Sequence, residues 1–263
     1  MNLLLTTVCN RKCKYCFAKN KVCYGDNELI DRFISIKNVK KVMHFLTASK
    51  EKNISILGGE PTLHPQFYEI NLFNNEQFII NIFTNGIFSS HTIDVIKKIT
   101  PARMNLLVNT NEPHENTTDE WQKILNVLEA IPYYIVLGFT IYRPDFNADF
   151  LVELCNKYNL QRHIRLGIAQ PIINQNNNFL SYNAYTQVAQ KIVELSNTCI
   201  QYDISLWLDC GFTLCMFSEE QLELLLRNNV HLQFSCGVTI NVGTDLTVWN
   251  CFPLSSVHNT KLE

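Results

Sequence analysis

The sequence has no apolar run of the roughly 18–20 residues that cross a bilayer. Its longest apolar stretch, Ile131 to Tyr142, is broken by Pro132 and Gly138 and reads as a buried strand. It also lacks an export leader. Met1 to Val8 is apolar but short, has no basic start, and runs directly into Asn10, Arg11 and Lys12. Neither sign of charge dominates: 22 Lys and Arg against 24 Asp and Glu leave a formal charge of −2, unlike a strongly basic nucleic-acid binder. There is no Walker loop, no Gly-x-Gly-x-x-Gly and no Gly-x-Ser-x-Gly, so the phosphate-cradling and serine-hydrolase motifs are missing. No internal repeat or flexible linker stands out.

What is present is enough for a core. Of 263 residues 46% are hydrophobic and 17% charged, which excludes a disordered chain and suits one large α/β domain with a small appendage. Candidate strands are Asn2–Thr7, Asn53–Leu57, Phe78–Phe83, Arg103–Val108, Tyr134–Tyr142 and His163–Ala169. Helical patterns fall at Leu29–Ala48, Pro65–Phe73, Ser90–Ile99, Thr118–Ala130, Ala148–Tyr158 and Tyr182–Asn197. This alternation predicts a mostly parallel sheet with right-handed crossovers. Six strands are too few for an eight-stranded barrel, leaving a partial barrel or an open sheet. From about Asp203 the rhythm is expected to give way to a cysteine-rich tail. That tail has one helix at Ser218–Arg227 and a hairpin between Cys236 and Cys251, turning near Gly243-Thr244-Asp245. The division expected is residues 1–200 for the main domain and 201–263 for the extension. Trp207 and Trp249 are expected to pack the junction, and Asn174–Asn178 to form a solvated loop.

Ten cysteines are many for a chain with no export signal, and a reducing cytoplasmic setting points to metal rather than disulfides. Cys9, Cys13 and Cys16 follow the first strand at spacings that let three thiolates converge from one loop. A structural zinc site takes four protein ligands. A group that stops at three leaves one iron of a cluster open, which favours chemistry over scaffolding.

The C-x3-C-x2-C spacing, with aromatic Tyr15 before the last cysteine, resembles the signature of the radical S-adenosylmethionine (radical SAM) superfamily. Gly58-Gly59-Glu60-Pro61 after the second strand and Thr84-Asn85-Gly86 after the third match further elements of that family, in order and at strand ends. Without the resemblance each would read as a turn. The family implies a partial (β/α)6 TIM-like barrel and a 4Fe–4S cluster held by Cys9, Cys13 and Cys16, its fourth iron chelated by the amino and carboxylate groups of S-adenosylmethionine. One-electron reduction then cleaves a carbon–sulfur bond, and the 5′-deoxyadenosyl radical abstracts hydrogen from a substrate. The Gly-Gly-Glu-Pro element would meet the methionine amino group, where glycines remove side chains and a carboxylate suits an ammonium. Tyr15, Thr84 and Asn85 are further cofactor-site candidates. So are Asn109 after the fourth strand and Arg165 in the sixth, although Asn109 could instead cap a turn and Arg165 pair with a surface carboxylate.

Cys210, Cys215, Cys236 and Cys251 form a second group. The bracketed hairpin resembles the SPASM or twitch extension and implies one auxiliary 4Fe–4S cluster, with structural zinc as the alternative. That extension commonly has a Gly five positions before the closing cysteine, where this chain has Leu246. Cys155 reads as a small buried hydrophobe, while Cys199 is disfavoured as a substitute ligand and Cys23 joins neither group. His44, His64 and His91 show no ligand spacing. The implied substrate is a peptide or protein, with a small metabolite as runner-up. The non-enzymatic alternative is a cysteine-rich metal-binding or electron-transfer protein, which has no need for Gly58-Gly59-Glu60-Pro61. With the first strand starting at Asn2, no leader-binding domain is expected, so a peptide would need a separate recognition protein or bind at the barrel mouth. Leu262-Glu263 reads as an appended pair. Flavodoxin or ferredoxin is the implied reductant; no membrane or nucleic-acid partner is expected. Anaerobic reconstitution separates the two tails: about eight irons per chain for two cubanes, about four irons with one zinc for a structural tail.

Overall fold

A computed structural model describes residues 1–19, 21–22, 32–70, 78–235, 237 and 239–262. Six strands, β1 (Asn2–Thr6), β2 (Asn53–Gly58), β3 (Ile79–Thr84), β4 (Met104–Thr110), β5 (Ile135–Ile141) and β6 (His163–Ile168), pair in parallel and in chain order. Their crossovers include the helices α1 (Ile36–Ala48), α2 (Ser90–Ile96), α3 (Thr118–Ala130) and α4 (Asp149–Tyr158). Helix α3 starts where the sequence supplies a capping box: Thr117 accepts from the Glu120 amide and Glu120 accepts from the Thr117 amide.

Alternation along each strand sorts its residues between two environments. One set, with Ile56, Ile82, Leu106, Leu137 and Leu166, is fully buried in one core with Val42 of α1, Val127 of α3 and Leu151 of α4. The other face carries Asn81, Asn105, Asn109, Thr140 and Arg165. Its polar groups pair across strands: Asn105 Nδ2 donates to Asn81 Oδ1 at 3.2 Å, and Gln161 Nε2 donates to Asn105 Oδ1 at 3.1 Å. The sheet curls towards this face. The Arg165 guanidinium on β6 lies 5.0 Å from the Phe83 ring centroid on β3, three strands away, where a flat sheet would separate the backbones by roughly 14 Å.

The βα rhythm runs further than the sequence suggested. After α5 (Tyr185–Gln201), β7 (Ser205–Leu208) pairs in parallel with β6, and α6 (Glu219–Arg227) leads to β8 (His231–Leu232), which pairs in parallel with β7. Strands of four and two residues are too short to show a recognisable alternation. The expected hairpin is present as β9 (Asn241–Val242) and β10 (Thr247–Trp249), followed by β11 (Thr260–Lys261). It joins the opposite edge of the sheet, because β9 pairs in parallel with β1, Asn2 against Asn241. Among the described residues eleven strands therefore form one sheet, with β11 and β8 at its two edges.

Trp249 and Phe252 are buried with Leu4, Leu57, Ala18 and Val22, seating the tail on the strands as expected of Trp249. Trp207 departs from expectation. It is 43% exposed and stacks between His163 and His231, with ring centroids 5.2 and 4.7 Å away. Asn174–Asn178 is not a simple solvated loop either: Asn177 is buried, holding the Ile172 amide and the Gln170 carbonyl. No described helix is long and apolar enough to cross a membrane. The first helix starts at Ile36, later than the expected Leu29, because Phe33 bridges to Thr6 and Ser35 caps the helix. Pro65 and Gln66 form a turn, not helix; residues 29–31 and 71–73, with Cys23 and Cys236, lie outside the described residues. Phe252→Ala should lower stability by about 3 kcal/mol, read as a lower urea midpoint at unchanged m-value.

Candidate functional site at the strand ends

Parallel strands bring their carboxyl ends to one rim, where ligands collect in such sheets. The loop that carries Cys9, Cys13 and Cys16 leaves β1 at this rim and is seated by the main chain after β2. The Gly59 amide donates to the Thr6 carbonyl and the Glu60 amide to the Val8 carbonyl, both at 2.8 Å. This contact dictates the glycines. A Cβ on Gly58 would lie 2.3 Å from the Thr6 carbonyl oxygen, and one on Gly59 2.1 Å from that of Val8. The glycines let the cysteine loop pack against β2. Gly167, by contrast, has nothing within 4 Å of where its Cβ would be, so open space lies over β6.

Glu60 is fully buried and joins the motifs. Its Oε1 accepts from the Thr62 amide at 3.2 Å, the Thr62 hydroxyl at 2.7 Å and the Thr84 hydroxyl at 2.9 Å, while Oε2 accepts from the Asn85 amide at 2.8 Å. Burial pushes the Glu60 carboxyl up, and these four donors pull it back. Pro61 fixes the first position of the 3-10 turn that aims Thr62 at the carboxylate. The Asn85 side chain carries the linkage onward: Nδ2 donates to Asn10 Oδ1 at 2.8 Å, and Asn10 donates to the Ile87 carbonyl at 2.9 Å. The three sequence motifs thus form one hydrogen-bonded unit.

The thiols lie close enough to influence one another electrostatically: Cys13 and Cys16 both act on Cys9, and Cys16 on Cys13. Burial pushes the Cys9 thiol up to about 12 and raises Cys13, so a metal must displace their protons. Among the described residues, no three His, Cys, Asp or Glu side chains gather as they would round one ion. Three soft thiolate donors on one loop have the chemistry that iron–sulfur clusters take. Half-buried Tyr15 stacks on Tyr142, centroids 4.9 Å apart, and its hydroxyl donates to Asn111 Oδ1 beside Cys13.

Asn109 points over Gly138 of the paired strand, where a Cβ would come 2.3 Å from Asn109 Oδ1. Arg165 pairs with Asp209 while lying over Phe83. Sequence reasoning overlooked several neighbours. Arg143 pairs with buried Glu112, and the Asn178 amide donates to the Lys14 carbonyl at 2.9 Å, tying the loop after β6 to the cysteine loop. An asparagine run gives no sign of that role. In the second cysteine group Cys210, Cys215 and Cys251 are exposed, and among the described residues they form no metal-binding group; Cys155 and Cys199 are buried, each thiol raised to about 12. His64 is structural, accepting from the Gln66 amide and contacting the Ile34 carbonyl.

The radical SAM superfamily model matches residues 3–157, and the chain belongs to that superfamily. The family implies a 4Fe–4S cluster and S-adenosylmethionine, and the donor set at the rim fits them. A candidate glycyl-radical enzyme activating enzyme of Methanocaldococcus jannaschii is 31% identical over 154 residues, covering 57% of this chain and 53% of that protein. A GTP 3′,8-cyclase of Alkaliphilus oremlandii is 28% identical over 149 residues, covering 53% and 44%. The chain spans about half the length of these relatives. In fold, it resembles Streptococcus suis SuiB bound to S-adenosylmethionine, with TM-score 0.71, 13% identity, and coverage of 100% of this chain and 62% of that one. SuiB bound to its precursor peptide SuiA matches with the same TM-score at 10% identity, covering 100% and 62%.

Gly59→Ala should push the end of β1 away from β2. Expected are a loss of stability of about 1–3 kcal/mol and reduced iron uptake. Gly167→Ala should leave stability within about 0.5 kcal/mol, both by urea denaturation.

Proposed function

We propose that this chain is a radical SAM enzyme that acts on a carbon–hydrogen bond of a peptide or protein, with Cys9, Cys13 and Cys16 as the cluster ligands. The observation that carries the proposal is the buried Glu60 linkage, which fixes the cysteine loop, the Gly58-Gly59 main chain and the Thr84-Asn85 turn against one another. When bound, the cluster supplies the electron that cleaves S-adenosylmethionine to methionine and a 5′-deoxyadenosyl radical. The chain supplies position and shelter. With Glu60 engaged in holding the rim, main-chain carbonyls at Gly58 and Gly59 are the acceptors offered to the methionine amino group. Tyr15 from the cysteine loop, with Asn109 and Arg165 from the curled face, is offered to the rest of the cofactor. The open space at Gly167 suits a flat ring.

A macromolecular substrate is supported by the fold shared with SuiB, which is seen with a precursor peptide, and by the relative named for activating an enzyme. A small nucleotide is the second reading, favoured by the sequence likeness to GTP 3′,8-cyclase. In this proposal Cys210, Cys215 and Cys251, with Cys236, hold an auxiliary 4Fe–4S cluster in a twitch-like extension from about residue 201; exposure of the first three leaves them reachable by metal. A flavodoxin or ferredoxin supplies electrons, and a separate protein presents a peptide substrate. A reducing, cytoplasmic setting keeps the thiols available. Reconstituted anaerobically and given dithionite and S-adenosylmethionine, the chain should form 5′-deoxyadenosine, falling to background in Cys13→Ala. Equal product from that variant overturns the assignment of the thiols.

A further inference from the structure

Three cations lie within the cysteine loop, and the fold buries only one. Lys12 and Lys14 are exposed, so solvent screens them, whereas Arg11 is 7% exposed. Arg11 Nη2 donates to Asn116 Oδ1 in the turn after β4. Its Nη1 is buried with no hydrogen-bond partner among the described residues. A donor left unpaired in the interior is costly, and a guanidinium cannot lose its charge to avoid that cost. A counterpart of opposite sign stands nearby: Glu115 Oε1 accepts from the Tyr142 hydroxyl and lies 3.6 Å from Arg143 Nη2, while its Oε2 is buried with no hydrogen-bond partner among the described residues. Arg11 stands two residues from both Cys9 and Cys13 in one loop, and Glu115 is the chain neighbour of the Asn116 that Arg11 holds.

We infer that Arg11 sets the reduction potential of the cluster held by Cys9, Cys13 and Cys16, its buried charge making the cluster easier to reduce and Glu115 opposing it. The inference rests on the ligand assignment proposed above. Adding one electron makes the cluster more negative. A fixed positive charge beside it in a medium of low dielectric constant stabilises the reduced form more than the oxidised one. Arg11 is thus a positioning residue for charge and need not touch S-adenosylmethionine.

The test is a redox titration followed by electron paramagnetic resonance, without S-adenosylmethionine, on reconstituted wild type, Arg11→Gln, Arg11→Lys and Glu115→Gln. Iron content is measured on each sample. The midpoint should move to more negative potential in Arg11→Gln, stay nearer wild type in Arg11→Lys, and move to more positive potential in Glu115→Gln. An iron-replete Arg11→Gln protein with the wild-type midpoint overturns the inference, as do shifts of the same sign in Arg11→Gln and Glu115→Gln. If Arg11→Gln takes up no iron, Glu115→Gln decides: an unmoved midpoint overturns the inference. Failure of the underlying assignment looks different, because Cys13→Ala would then keep the wild-type reducible signal.

Discussion

A single buried carboxylate holds the rim of this protein together. Glu60 accepts four hydrogen bonds from two neighbouring segments, and no other side chain among the described residues links the ends of β2 and β3 so directly. Removing a buried acceptor that serves several donors strands all of them, so the penalty exceeds that of one hydrogen bond. The arrangement explains why the motifs are short and rigid. Each must present a main-chain group or hydroxyl to the same point, while glycine gives the cysteine loop room to approach β2.

Much of this was legible in the sequence because it depends on local patterns. The expected strands overlap β1 to β6, since buried parallel strands are apolar and β-branched. The helical pattern over Thr118–Ala130 coincides with α3, whose capping box and first-turn acids mark its start. The motif spacings pointed to the rim, and membership of the superfamily agrees. Long-range choices were less visible. Nothing in Gly58-Gly59 distinguishes clearance for a ligand from clearance for Val8 and Thr6, and only the packed structure assigns them to the latter. Likewise, β7 and β8 are too short to show their period, and Asn177 looks like any asparagine in a polar run.

The curled face has an economy of its own. Along it the amides of Asn81, Asn105 and Gln161 bond one another, keeping this stretch polar without a charge. Charged groups appear nearer the rim, as pairs: Arg165 with Asp209, and Arg143 with Glu112. Such pairing holds long side chains in place where solvent would otherwise let them wander, which suits a surface that must hold a cofactor in register.

The pairing of β9 with β1 ties the order of synthesis to assembly. β1 and its cysteines emerge early and can pair with β2 soon afterwards, but their other edge stays uncovered until Asn241 arrives, and Phe17 lacks its ring contact until Phe252 follows. At ordinary rates of translation that interval is roughly ten to fifty seconds. During it the cysteine loop has neither the β9 edge beside β1 nor the Phe252 ring against Phe17, so the last strands complete a setting that the first strand begins.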